Sequence, residues 1–153
     1  MNIYPLTIYY DGNCPLCLFE VDMLRRRNTD DALRFVNIHD ATFDPASLGT
    51  TFESLDARIH ARRADGVLVE GPDVFALAYR AVGFEQLAAL ISWAPLRPAT
   101  RWIYAGFARH RHGLGRLLGP IFERHARRER ARQSLLCTDR CQVRTPTTKG
   151  PRP

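Results

Sequence analysis

With 153 residues, 45% of them hydrophobic and 25% charged, the chain has the size and balance of one globular domain. No stretch approaches the roughly 20 apolar residues that span a bilayer, and the opening "MNIYPLTIYYDG" has neither a basic n-region nor a small-residue cleavage site, so a cytoplasmic protein with reduced thiols is expected. The net charge of +6 is uneven: residues 101–153 hold thirteen Lys and Arg against three Asp and Glu, so residues 1–100 are slightly acidic and any pull on an acidic partner belongs to the last third.

"LTIYY" (Leu6–Tyr10) is a short apolar, β-rich run closed by Asp11-Gly12, and it reads as a buried strand. Pro15 suits the first turn of a helix, where its missing N–H costs nothing. Cys17, Val21 and Leu24 then share one helical face, with Leu18 and Phe19 expected to widen the stripe, and Arg25, Arg26 and Arg27 close the helix where cations favour the dipole. "LRFVNIH" (Leu33–His39) reads as a second strand, parallel to the first in a right-handed β-α-β unit. A polar connector broken by Pro45 and Gly49 follows, with room for one short helix. In "ARIHARRADGVLVEG" two extended runs flank an Asp-Gly tight turn, the signature of a hairpin. "PDVFALAYRAVGF" reads as a helix with Val74, Leu77, Ala78 and Ala81 on one face.

This order, β-α-β then β-β-α, is the α/β arrangement of thioredoxin-like folds, a mixed sheet flanked by helices; other small α/β sheets share it. Residues 1–92 are expected to form that core, 93–136 a C-terminal helical extension packed on it, and 137–153 a flexible basic tail ending in "TPTTKGPRP".

Cys14 and Cys17 sit two residues apart where the first helix begins. At a helix N-terminus, unpaired N–H groups, the dipole and the second thiol all favour a thiolate at the first sulfur, lowering its pKa from about 8.5 toward about 7 or below. The same geometry is expected to expose the first sulfur and tuck the second beneath it, which suits Cys14 as nucleophile and Cys17 as resolving thiol. Asp11, three residues earlier, can accept the Cys17 proton, although capping the turn is its plainer role. Its charge opposes thiolate formation. Two other readings stay open. Cys137 and Cys141, in "CTDRC", could complete a four-thiolate zinc site with the first pair, or the first pair could be inert packing.

"YYDGNCPLC" closely resembles the Asp-Gly-x-Cys-x-x-Cys signature of the DCC family of thiol-disulfide oxidoreductases, which have a thioredoxin-like fold. "ADGVLVEGPDVFALAYRAV" resembles the family's hairpin and following helix, and "WIYAGFARHRHGLGR" its late Tyr-x-x-(Ile/Phe)-Ala-x-x-Arg helix; the likeness spans about residues 5–118. The resemblance implies Cys14 as attacking thiol, Cys17 as resolving thiol and Asp11 as motif carboxylate; the leading reading of the chain is then dithiol exchange with no organic cofactor, a disulfide-containing protein or small molecule as substrate, and another thiol system or glutathione as electron donor. "TTFESLDARIHAR" lacks the proline that thioredoxins place before their third strand to hold substrate backbone, so any substrate grip differs from theirs.

His39, His60, His110 and His112 lack ligand spacing and read as ordinary histidines. Trp93 and Trp102 are expected to pack the C-terminal helices onto the sheet. Trp102, Tyr104 and Phe107 are assigned to core in preference to a groove near the active site. "FERHARRERARQ" reads as a solvated basic helix, with nucleic acid or an anionic membrane as the sharper alternative; no aromatic is interleaved with its arginines. The rival to an enzyme is a non-catalytic adaptor of the same fold whose basic helix, with Arg127, Arg128 and Arg130, contacts an acidic partner.

Overall fold

The computed structural model describes residues 2–111, 113 and 114. They form a four-stranded mixed sheet with five helices. Strand β1 (Leu6–Tyr10) leads through helix α1 (Pro15–Arg27) to β2 (Leu33–Asn37). A 3-10 turn (Pro45–Leu48) and the short α2 (Phe52–Ala57) precede the hairpin β3 (His60–Arg62) and β4 (Leu68–Glu70). Helices α3 (Pro72–Ala81) and α4 (Glu85–Ser92) follow, and residues 97–111 form a fifth helix, α5. The sheet order is β2-β1-β3-β4. β1 runs parallel to β2, from Leu6 opposite Leu33 to Tyr10 opposite Asn37, and antiparallel to β3. This is the α/β architecture expected, consistent with a thioredoxin-like fold.

β1 lacks polar alternation because both its faces are covered. Leu6 and Ile8 pack with Leu24 of α1 and Val74 and Ala78 of α3, while Tyr9 on the other face packs with Ile38 and Leu55 of α2. The hairpin turns where Asp65-Gly66 stands: Gly66 takes a φ of +87°, a region that L side chains rarely adopt, and donates its N–H to Arg63 O at 3.0 Å. The expected helix follows as α3, and Gly83, at φ +81°, separates it from α4, the first of the further helices.

Some expected packing differs. Val21 and Leu24 are buried, but Leu18 and Phe19 are 38% and 45% exposed, so they fall outside the buried stripe of α1. Trp93 and Trp102 do not pack onto the sheet; they are 58% and 80% exposed. α4 docks through Ala88 instead. α5 docks through Tyr104 and Arg111, and Trp102, two residues from Tyr104, falls on the opposite face. Among the described residues no helix is long and apolar enough to cross a membrane. The basic run from Phe122 to Gln133, Cys137, Cys141 and the expected tail lie outside the described residues, and with them the zinc and adaptor readings.

Candidate active site

The local sequence builds the thiol pair in steps. β1 ends at Tyr10, and Asp11 Oδ1 accepts the Asn13 N–H at 2.8 Å, closing an Asx turn. Gly12 lies against Asn37, whose Oδ1 accepts the Gly12 N–H at 3.0 Å and the His39 N–H at 3.1 Å. A Cβ at position 12 would overlap the Asn37 side chain, so glycine is required there for close approach. The chain then enters α1 with Cys14 as its N-cap and Pro15 at the first position. Cys14 Sγ accepts the Cys17 N–H at 3.4 Å.

That placement splits the two thiols. Cys14 is lowered from 9.0 to about 6. The hydrogen bond from the Cys17 side chain is the largest cause, and the backbone N–H groups of Cys17 and Leu16 add to it; burial and the Asp11 charge oppose it. Cys17 moves the other way. Its hydrogen bond to Cys14, burial and the Cys14 charge hold it protonated, Asp11 adds to them, and Arg111 pulls against them. Accessibility runs opposite to the expectation. Cys14 has no exposed surface and Cys17 is half-buried.

Asp11 is buried and held by long-range partners. His39 Nε2 lies 2.9 Å from its Oδ1, and Arg111 NH2 lies 3.4 Å from its Oδ2. Arg111 also donates to Asp56 Oδ1 at 2.8 Å and to the Asp56 carbonyl. Asp11, His39 and Asp56 bring ligand atoms within 4.8 Å of one another, but the Arg111 guanidinium already supplies the positive charge there, so the group reads as an ion-pair network. His39, read from sequence as an ordinary histidine, therefore belongs to the site. Arg111 was legible only as part of a motif. His60 is an ordinary buried histidine, its Nδ1 2.9 Å from the Arg58 carbonyl oxygen.

A DCC1-like thiol-disulfide oxidoreductase family model matches residues 8–117. The chain belongs to that family. A chloroplastic, uncharacterized protein of Arabidopsis thaliana is 30% identical over 110 residues, 71% of this chain and 51% of that protein, so the chain spans about half the length of this curated relative. No solved structure matches.

In this DCC1-like chain the late Tyr-x-x-Phe-Ala-x-x-Arg motif is Tyr104, Phe107, Ala108 and Arg111, at positions that share one helical face. All four line a cavity of about 260 Å³ whose wall also holds Asp11 and Cys17. The Tyr104 hydroxyl accepts the Ile59 N–H at 2.7 Å, fixing α5 over the site. The groove reading thus holds for Tyr104 and Phe107 and fails for Trp102, which does not line this cavity. The core assignment fails because α5 stands off the sheet and leaves the cavity between them.

Proposed function

We propose that the protein exchanges thiols and disulfides through the Cys14–Cys17 pair. The observation that carries this reading is the split between the two thiols at one helix N-terminus, Cys14 lowered to about 6 and Cys17 raised. At neutral pH Cys14 is then about nine-tenths thiolate, and only the thiolate is a competent nucleophile. Cys14 is the attacking sulfur when a disulfide faces it, and the leaving group when the internal disulfide opens. Cys17 is the protonated partner. Forming the internal disulfide releases the Cys17 proton; Asp11, whose charge reaches that sulfur, receives it and passes it to His39, which is 28% exposed at its side chain. A thiol or disulfide of another molecule supplies or takes the electrons, and no organic cofactor is needed.

The test is alkylation rate against pH, followed by mild oxidation and mapping of the bond formed. Half-maximal reactivity of Cys14 near pH 6 and a Cys14–Cys17 disulfide are expected. A thiol with a pKa above about 8.5 that forms no such bond would sink the reading.

A further inference from the structure

The cavity reaches one sulfur of the pair and not the other. Cys17 is part of its wall; Cys14 is not, and is fully buried. The remaining wall is mainly apolar, including Leu16, Phe19, Phe75, Ala78, Phe107 and Ala108. Phe19 and Phe107 are also exposed, which places them at the mouth. The charged groups of the wall are mostly paired, while Glu20 keeps one buried oxygen, Oε1, without a hydrogen-bond partner. The Arg111 guanidinium lies between the carboxylates of Asp11 and Asp56. Glu20 is hydrogen-bonded to Tyr79, and burial pushes its carboxyl up. Among the described residues no cation stands there uncompensated to attract the carboxylates of a peptide-like thiol. The volume equals that of about nine waters, enough for a ligand of roughly ten heavy atoms.

We propose that this cavity binds a small, uncharged, apolar thiol, which reduces the oxidised pair by attacking Cys17 rather than Cys14. The proposal rests on the exchange reading above and adds the substrate class, the direction and the sulfur that meets the substrate. The bound thiol gives its proton to Asp11, and its thiolate attacks Cys17 Sγ. The Cys14–Cys17 bond breaks as the bond from Cys17 to the substrate sulfur forms, and the electron pair leaves on Cys14. Cys14 is the better leaving group because donors already wait for its charge. A second thiol loses its proton to solvent, and its thiolate attacks the substrate sulfur of the mixed disulfide. The substrate disulfide departs, and Cys17 takes back the proton held by Asp11. Two thiols become one disulfide and the pair gains two electrons. A disulfide-bearing acceptor returns the pair to its oxidised form.

The test uses the full chain with its Cys14–Cys17 bond formed, mixed with benzyl thiol, 2-mercaptoethanol or glutathione. Benzyl thiol is expected to reduce the pair roughly tenfold or more faster, per thiolate, than the other two. Acid quenching, alkylation and peptide fragmentation should place the benzyl group on Cys17 and the alkyl group on Cys14. Ala108→Trp, which fills the cavity from α5, should remove the benzyl advantage. A benzyl group on Cys14, equal rates for the three thiols, or an advantage that survives Ala108→Trp would overturn the proposal while leaving the exchange reading standing. Failure of the wild-type chain to form the internal bond would overturn both.

Discussion

At Cys14 two opposing effects act on one sulfur. Burial and the Asp11 carboxylate favour the neutral thiol; the Cys17 thiol and the N–H groups of Cys17 and Leu16 favour the thiolate. The donors win, which is why a sulfur with no exposed surface is still acidic. The lowered pKa has a consequence for stability. In the reduced protein the folded state loses the Cys14 proton near pH 6, while the unfolded chain keeps it to about 9. The unfolded state therefore binds more protons between those values, and stability rises with pH by at most about 1.4 kcal/mol per unit. The contribution is fully present above about 9 and is lost as pH falls through about 6. Denaturation of wild type and Cys14→Ser across that window should give a difference that grows with pH; a constant difference would contradict the charge assigned to Cys14. Cys17, raised in the fold, acts only above about 9, where it lowers stability.

Among the elements, α5 is tied to the core by a few specific contacts. Arg97 pairs with Asp73 at its start, Tyr104 takes the Ile59 N–H, and Arg111 bridges Asp11 and Asp56. Arg97–Asp73 is half exposed and contributes about 0–1 kcal/mol. Arg111 differs because Asp11 is buried: removing the guanidinium leaves the carboxylate without the permanent positive charge beside it, with His39 and the Asn13 N–H as its remaining partners. Arg111→Met is expected to cost about 3 kcal/mol in urea unfolding, and Asp11→Asn in the same chain should recover part of that loss. Full additivity of the two substitutions would mean that the pair is not coupled. The Arg111 charge also pulls down the Cys17 thiol, so Arg111→Met should raise Cys17 further as well as loosen α5.

Over the whole molecule, the parallel β1–α1–β2 unit places a helix N-terminus at a strand end, and α5 closes over that end to leave the cavity. The geometry stabilises the reduced pair through the Cys14 thiolate, and stabilising the reduced form makes a pair more oxidising. The Cys14–Cys17 couple is therefore expected to have a potential less negative than about −270 mV, the value of a reducing thioredoxin-type pair. Equilibration against glutathione buffers measures it. A more negative potential would contradict the direction proposed for the cavity.

β1, the start of α1 and the hairpin turn were legible in the sequence because each rests on local chemistry: an apolar β-rich run, a proline tolerated at a helix start, an Asp-Gly tight turn. The thiol pair and Asp11 were legible for the same reason, since all three lie within seven residues. Helical spacing put Leu18 and Phe19 beside the stripe but could not say where the docking face ends. Composition made Trp102 look like core, yet which side of α5 faces inward depends on Ile59 and Asp11, far away in the chain. Arg111 meets Asp11 across a hundred residues, and no local pattern announces such a pair. By itself the sequence determined that the two thiols and Asp11 lie close together in the chain and that the first sulfur sits at a helix start. Only the tertiary structure decided that Cys14 is sealed, that His39 and Arg111 hold Asp11, and that a cavity opens onto Cys17, because burial and opening are properties of elements brought together by packing.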